Sequence, residues 1–296
     1  MLGFARIISD LLGLMGLSSR IEQGWKLHTE TTGFPFIFTE QFGTHKTSNP
    51  ANKYPINLVS YQPGFPSTRT LMLTIVATPI GNLSDASDRM VQTLAESDLI
   101  ACEDTRVSGK LLSHFGIETK MISFHQHNEH KKLDSLIEWL KQGKRISLIS
   151  DAGMPAISDP GFLAVRAAHQ HGIPVSVVPG PDALTSALAV SGLPSDRFRF
   201  EGFIPAKKGR QTRVQEIAAS DITTVVYESP YRVVHFLEML SEFAEPTRWV
   251  CVAREITKKF EEVRRGQLAE QVEEWKGRAV IKGEFVVVIA GRGYAD

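Results

Sequence analysis

Short apolar runs alternate with amphipathic segments from residue 72 onward. The runs are rich in β-branched residues, as buried strands are, and the segments between them repeat with the period of a helix. In the first part of this region the pattern predicts strands at Leu73–Ala77, Leu99–Cys102, Met121–His125, Arg145–Ser150 and Val175–Val178, and helices at Asp88–Glu96, Val107–Phe115, Glu129–Lys141, Phe162–His171 and Asp182–Val190. Such repeated alternation favours a parallel sheet connected by crossover helices.

The segment Gly192-Leu-Pro-Ser-Asp196 interrupts this rhythm and marks a predicted domain boundary. Beyond it the pattern predicts strands at Phe198–Phe203, Thr223–Tyr227, Trp249–Ala253, Glu262–Arg265 and Glu284–Ala290, and helices at Arg210–Ala219, Val233–Phe243 and Leu268–Trp275. We therefore expect an α/β protein with one domain over residues 72–192 and a second over residues 193–296.

Residues 1–71 differ from the rest of the chain, because they are rich in Gly, Pro, Ser, Thr and Phe and lack the strand–helix alternation. The pattern predicts no ordered fold for this extension, and its opening apolar segment is too short and too interrupted to span a bilayer. Met72 directly precedes the first predicted strand, so we expect translation to begin there.

Composition narrows the class of protein. With 42% hydrophobic and 22% charged residues, the chain has the balance of an ordinary soluble protein. Its formal net charge is zero, so a polyanionic partner has to be held by local basic patches. The two cysteines, Cys102 and Cys251, support neither a disulfide framework nor a thiolate metal site. A reducing, cytoplasmic location fits this composition best.

The densest cluster of turn-forming residues lies between the predicted strand that ends at Ser150 and the helix that begins at Phe162. It contains two carboxylates, Asp151 and Asp159, together with two prolines and two glycines. Ligands of open α/β sheets bind beyond the carboxyl ends of the strands, so this loop predicts a small-molecule site. An elaborate turn without a ligand is the alternative.

Other polar segments follow the neighbouring strands. Thr78-Pro-Ile-Gly-Asn-Leu83 carries neither glycine-rich phosphate-binding motif, which disfavours a dinucleotide or triphosphate ligand. Glu103-Asp-Thr-Arg106 places two acids and a guanidinium at a helix entrance, where Asp104 or Thr105 could also act simply as the helix cap. The histidines of Ser123–His130 lack a matching metal-binding motif, so polar substrate contacts are favoured over a metal there.

Several motifs occur together in a fixed order: Thr78-Pro-Ile-Gly-Asn-Leu, Glu103-Asp-Thr-Arg, Ser150-Asp-Ala-Gly-Met-Pro-Ala-Ile-Ser-Asp-Pro-Gly, Pro179-Gly-Pro, Ser191-Gly-Leu-Pro, Glu201-Gly-Phe-Ile-Pro, Glu228-Ser-Pro-Tyr-Arg and Gly283-Glu-Phe. Over residues 72–291 the chain resembles the tetrapyrrole-methylase superfamily and, within it, the methyltransferases of small-subunit ribosomal RNA. The resemblance implies a two-domain tetrapyrrole-methylase-like fold with S-adenosylmethionine in the interdomain cleft. It also implies a homodimer that methylates the 2′-hydroxyl of a cytidine in the decoding region of 16S ribosomal RNA within the small subunit, with no membrane association.

The strand-end loops supply the predicted cofactor contacts, since S-adenosylmethionine carries no phosphate and needs backbone amides, small residues and carboxylates. These contacts are Pro79, Gly81, Asp151, Ala152, Gly153, Met154, Ser158, Asp159, Pro179 and Gly180. Two positions depart from the family pattern. Met154 stands where threonine is usual, which removes a hydroxyl, and Tyr231 stands where histidine is common, so we assign it no proton-transfer role.

Basic residues of the second half are the predicted RNA contacts, although each cluster could equally be a solvated surface. They are Lys207, Lys208, Arg210, Arg213, Lys258 and Lys259. Attack by a ribose hydroxyl also requires a base or an orienting group. Asp104 is the leading candidate, Arg106 would hold the acids or a phosphate, and the remaining candidates for catalysis are Glu103, His125 and Glu129.

Three alternatives remain open from the sequence. One is methylation of a tetrapyrrole or another small molecule on the same fold. Another is a metal-dependent hydrolase that uses Glu103, Asp104, Asp151 and Asp159. The third is an RNA-binding module without activity. The basic second half favours RNA as the substrate.

Overall fold

Two five-stranded sheets organise the part of the chain that the computed structural model describes, residues 72–126 and 128–296. The predictions for residues 1–71 and for His127 lie outside these described residues. The described residues fall within one compact unit. None of the helices in these ranges is long and apolar enough to cross a membrane.

The first sheet is parallel throughout and has the strand order β3-β2-β4-β1-β5. Its strands are β1 (Met72–Val76), β2 (Leu99–Cys102), β3 (Met121–Ser123), β4 (Arg145–Ile149) and β5 (Val175–Val178). The helices between and after them are α1 (Asp88–Glu96), α2 (Thr105–His114), α3 (Glu129–Lys141), α4 (Phe162–Gln170) and α5 (Ala183–Ser191). Because the strands run in one direction, the loops after β1, β4 and β5 meet at one edge.

The second sheet is mixed and has the order β6-β7-β10-β8-β9, with only the β6–β7 pair parallel. Its strands are β6 (Phe198–Phe203), β7 (Thr223–Glu228), β8 (Trp249–Arg254), β9 (Glu262–Gln267) and β10 (Phe285–Ile289). Its helices are α6 (Arg210–Ala218), α7 (Val233–Ser241) and α8 (Leu268–Lys276). The α/β class predicted from the sequence is confirmed.

Helix α5 connects the two sheets. It precedes the predicted boundary at residue 192, yet its apolar face, with Leu184 and Leu188, packs on Val225 and Val286 of the second sheet. Gly192 ends the helix in the left-handed conformation, at φ 62°. The division into residues 72–192 and 193–296 therefore stays a prediction, with α5 in the first range by sequence and in contact with the second sheet.

The third strand is shorter than predicted and ends at Ser123 instead of His125. The backbone N–H of His125 donates to Oδ1 of Asn128 at 2.9 Å, and Lys132 Nζ donates to the Ser123 carbonyl at 2.7 Å. These side-chain contacts take up the polar groups around His125, so the strand ends two residues earlier than predicted while α3 still begins at Glu129.

Candidate functional site

A cleft of about 330 Å³ lies between the carboxyl edge of the first sheet and the second sheet. Its walls come from the loops after β1, β4 and β5 on one side and from the ends of β6, β7, β8 and β10 on the other. The lining residues are Ile80, Ala152, Gly153, Met154, Ile157, Ser158, Asp159, Asp182, Ala183, Phe203, Tyr227, Glu228, Ser229, Pro230, Ile256, Lys258, Glu284, Phe285 and Val286. A cleft at this position is where α/β folds bind small ligands.

Backbone hydrogen bonds fix the two main loops of the first sheet to one another. Thr78 and Gly153 exchange both of their backbone hydrogen bonds, at 2.9 and 3.0 Å. The Thr78 hydroxyl donates to the Ser150 carbonyl at 3.2 Å. Gly153 has φ +85°, and a Cβ there would lie 3.3 Å from the Ile80 side chain. The floor of the cleft therefore needs glycine at this point, since an L side chain would be strained and crowded.

The loop after β4 also reaches the second sheet. Ala156 and Ser158 adopt left-handed conformations, with φ of 68° and 63°. The Ser158 hydroxyl approaches β6 so closely that a Cβ on Gly202 would lie 3.0 Å from its oxygen. Positive φ is unusual for residues other than glycine, and such conformations concentrate at ligand sites. This loop thus forms one wall of the cleft and contacts the other.

Four acids cluster beside the cleft. The backbone N–H of Asp104 donates to Asp151 Oδ1 at 3.1 Å, and the Asp151 amide donates to the Glu103 carboxylate. Burial and then the neighbouring Glu103 raise the pKa of Asp159 to about 6, and burial also raises the pKa values of Glu103 and Asp151. Asp159 lines the cleft, so it presents this negative charge to a bound ligand.

The carboxylate of Asp104, the leading sequence candidate for the base, already accepts several hydrogen bonds in this structure, and its catalytic role stays a prediction. Its carboxylate caps α2 through the Arg106 N–H at 2.8 Å and pairs with the Arg106 guanidinium at 2.5 Å. These hydrogen bonds hold the pKa of Asp104 well below its usual range. A carboxylate that already accepts several hydrogen bonds is a weak base.

For the methyl transfer that the motif resemblance implies, we expect Asp104→Asn to keep the rate within about tenfold of the wild type, because removal of a true general base costs roughly 100-fold or more. Asparagine also caps helices well, so folding should be preserved. Single-turnover assays at saturating cofactor measure the rate. A loss of two orders of magnitude with normal cofactor binding would restore Asp104 as the base.

The other sequence candidates divide into lining and supporting residues. Of the predicted cofactor contacts, five line the cleft: Ala152, Gly153, Met154, Ser158 and Asp159. Pro79, Gly81, Pro179 and Gly180 lie in the loops that carry the lining residues Ile80 and Asp182. Gly180 packs on Ala77, where a Cβ would lie 3.0 Å from the alanine methyl group. Its role is therefore to let two loops approach.

None of the residues predicted to take part in catalysis is among the lining residues of the cleft. Glu103 is nevertheless coupled to it, because its charge raises the pKa of the lining residue Asp159. Glu129 is buried at the start of α3, and its Oε2 accepts no hydrogen bond. Among the described residues no group of three or more His, Cys, Asp or Glu side chains is placed to hold a metal ion.

One predicted RNA contact is unavailable to a phosphate. Arg210 is 5% exposed, and its guanidinium pairs at 2.8 Å with Glu228, whose side chain is fully buried. Arg232 also pairs with Glu228, at 3.1 Å. The basic pattern Lys207-Lys-Gly-Arg210 therefore contains a structural arginine, which corrects the prediction for that residue.

The remaining basic residues have different surroundings. Lys207, Lys208 and Lys259 are exposed. Arg213 is half-exposed and pairs with Glu216 at 2.8 Å. Lys258 lines the cleft, where its ammonium group lies 3.0 Å from Glu284 and its stem covers Gly81 of the first loop. These contacts hold Lys258 across the two sides of the cleft.

Sequence reasoning missed most of the wall that the second sheet contributes. Glu228 ends β7, Ser229 and Pro230 follow it, and Glu284 precedes β10. They belong to the motifs Glu228-Ser-Pro-Tyr-Arg and Gly283-Glu-Phe, which contributed to the family resemblance but were assigned no role in the site.

The replacement of the usual histidine by Tyr231 has little effect on the cleft, because the Tyr231 side chain is 93% exposed and does not line the cleft. Met154 does line it and also packs on the core of the first sheet.

Comparison with known proteins places the fold and the family. Solved structures that resemble the chain include diphthine synthase, with a TM-score of 0.58 and 15% identity over 76% of this chain and 91% of that one. The methyltransferase CobJ gives a TM-score of 0.57 and 19% identity over 76% of this chain and 96% of that one. At such identities the likeness shows the fold alone.

Sequence relatives are much closer. Ribosomal RNA small subunit methyltransferase I of Haemophilus influenzae is 46% identical over 230 residues, which cover 77% of this chain and 81% of the relative. The protein of the same name from Halalkalibacterium halodurans is 47% identical, over 75% of this chain and 76% of the relative. The profile of the family described as Tetrapyrrole (Corrin/Porphyrin) Methylases matches residues 72–271. The chain therefore belongs to the tetrapyrrole methylases and, within them, to the family of ribosomal RNA small subunit methyltransferase I.

Proposed function

We propose that this chain uses S-adenosylmethionine to methylate the 2′-hydroxyl of a cytidine in the decoding region of 16S ribosomal RNA, within the small ribosomal subunit. The observation that carries the proposal is 46% identity over 230 residues to a relative named for methylation of small-subunit ribosomal RNA. The resemblance identified from the motifs supports a homodimer that works in the cytoplasm, which we include in the proposal.

The cleft has the chemistry that S-adenosylmethionine requires. Gly153 permits close backbone approach, and Ala152 and Ala183 leave room along the same wall. Asp159 provides a half-buried carboxylate for a positively charged group. Bound in the cleft, the cofactor supplies an electrophilic methyl group. The residues of the two sheets bind it, orient it and exclude water from it.

Proton removal is better assigned to Glu103 than to Asp104. Burial raises the pKa of Glu103, whereas the guanidinium of Arg106 lowers that of Asp104. A carboxylate of higher pKa is the stronger base when it is ionised, and general bases work best near the operating pH. We propose that Asp104 and Arg106 order the entrance of α2 and thereby position Glu103, which precedes the cap residue Asp104.

Phosphate contacts are proposed for the exposed lysines after β6. Replacing Lys207 and Lys208 with glutamine should weaken binding of small subunits and reduce the slope of log affinity against log salt by about 1.5, because each phosphate contact contributes roughly 0.7–0.9. Cofactor affinity should not change. Lys110 and Lys141, both exposed on helices of the first sheet, give the matched control when changed to glutamine. An unaltered salt slope in the first variant, or an equal change in the control, would remove this surface from the interface.

Two measurements on the same protein preparation distinguish this proposal from the metal-dependent hydrolase and from methylation of a tetrapyrrole. Calorimetry with S-adenosylhomocysteine in the presence of a chelator should give binding, as expected for a methyltransferase and not for a metal-dependent hydrolase. Labelled S-adenosylmethionine should then transfer its methyl group to small subunits and not to a tetrapyrrole. Label in the tetrapyrrole alone would replace the RNA proposal with the small-molecule reaction.

A further inference from the structure

An exposed aromatic side chain stands at the mouth of the cleft. Phe203 is the last residue of β6 and lines the cleft, yet it remains 59% exposed. A single exposed apolar side chain is common on protein surfaces, so the surroundings of Phe203 decide what it can do. A bulge in β6 and the ring of Tyr227 together fix the position of the Phe203 side chain.

The backbone of β6 turns Phe203 toward the cleft. The register between β6 and β7 shifts between Phe200 and Gly202, and Gly202 has φ +62°. Such a bulge inserts one residue and redirects the side chain that follows. Glycine is required at this point, since the left-handed backbone and the nearby Ser158 hydroxyl leave no room for a Cβ.

Two neighbouring rings hold Phe203 in place. Its ring packs edge to face on Tyr227, with centroids 5.5 Å apart, and Tyr227 packs in the same way on Phe200 at 4.9 Å. Burial raises the pKa of Tyr227, which keeps its phenol neutral. The three rings form a row of edge-to-face contacts whose outer member, Phe203, is exposed. A preformed flat ring of this kind suits stacking.

The charged side chains around Phe203 indicate which kind of ligand would stack on its ring. The exposed lysines Lys207 and Lys208 follow Phe203 in the loop that leads to α6, whereas acids such as Asp159 and Asp182 line the cleft. A stacking ring beside exposed cations is the arrangement that binds single-stranded nucleic acid. Phosphates would meet the lysines outside the acidic cleft, and an uncharged base would meet the ring at its mouth.

We infer that Phe203 is the stacking platform for the base of the target nucleotide, which is unstacked from the RNA and held at the mouth of the cleft. This inference rests on the proposed function and names the residue that positions the substrate. The loops of the first sheet, with Gly153 and Asp159, would hold the cofactor, which leaves the exposed face of this ring to the base.

Phe203→Ala should reduce kcat/KM for small subunits about 5- to 150-fold, the range for loss of one base–aromatic stack. The affinity for S-adenosylmethionine should stay within twofold. Phe203→Trp should retain activity, and its added fluorescence should be quenched when a short single-stranded RNA binds. Phe162→Ala is the matched control, because Phe162, at the start of α4, is 62% exposed but does not line the cleft.

Two results would overturn the inference. One is a Phe203→Ala enzyme whose kcat/KM lies within twofold of the wild type. The other is an equal loss of cofactor affinity in this variant, which would show that the ring holds the adenine of the cofactor. Failure of the proposed function itself would be seen separately, as absence of methyl transfer to subunits by the wild-type protein.

Discussion

Arg210→Ala is expected to lower the free energy of unfolding by about 3 kcal/mol, because removing one partner of a buried ion pair leaves a poorly compensated charge in the interior. Arg210 is 5% exposed and its partner Glu228 is fully buried. Arg232 still pairs with Glu228 in this variant, which places the effect at the lower end of the range for such pairs.

Urea denaturation measures this effect, and Arg213→Ala is its control. Both arginines lie on α6 and both were predicted RNA contacts, but the side chain of Arg213 is 45% exposed where it pairs with Glu216 and Glu201. Glu201 keeps Arg199 as a partner when Arg213 is removed. Removal of an exposed pair should change stability by no more than about 1 kcal/mol. Equal stabilities for the two variants would show that the buried pair contributes nothing to the fold.

Asp159→Asn is expected to weaken S-adenosylmethionine binding roughly 10- to 150-fold, which corresponds to losing one charge-assisted hydrogen bond of about 1.5–3 kcal/mol. The side chain lines the cleft and keeps nearly the same shape as asparagine. Glu284→Gln is the control, since Glu284 also lines the cleft but its side chain is 82% exposed and paired with Lys258. Calorimetry should show a change of less than threefold for that variant.

The same carboxylate makes cofactor binding depend on pH. Because the pKa of Asp159 is about 6, the group is ionised above this pH and neutral below it. Attraction for a cation is therefore present above pH 6 and lost as the pH falls through it. Glu103 and Asp151, which face Asp159 and also have raised pKa values, add to the loss at lower pH. A wild-type affinity that does not change between pH 7.5 and about 5 would contradict this assignment.

The local pattern of apolar and polar residues was sufficient to predict the helices and strands and to locate the loop that forms the cleft floor. Residues Glu129–Lys141 and Val175–Val178 were predicted with the bounds that the structure gives. Helix α2 begins at Thr105 instead of Val107 because Asp104 caps it. The loop with Asp159 follows a buried strand, and the edge rule for parallel sheets is enough to place it beside the cleft.

The local pattern of apolar and polar residues does not predict contacts between segments that are distant in the sequence. The sequence of Lys207-Lys-Gly-Arg210 shows three similar cations, and only the packing of α6 on β7 separates the buried arginine from the exposed lysines. Lys258 covers Gly81 from the opposite side of the cleft. The acid cluster likewise acquires its raised pKa values from burial, which composition and spacing do not determine.

The proposed reaction is tested most directly by mapping the methyl group that the wild-type protein transfers. Small subunits whose ribosomal RNA lacks the modification would be incubated with labelled S-adenosylmethionine, and the extracted RNA would be hydrolysed in alkali. A methylated 2′-hydroxyl blocks alkaline cleavage at its own nucleotide, so we predict label in one alkali-resistant dinucleotide that begins with cytidine and derives from the decoding region. Label on a base, or at another region, or none in the RNA while the protein binds the cofactor normally, would contradict the proposal.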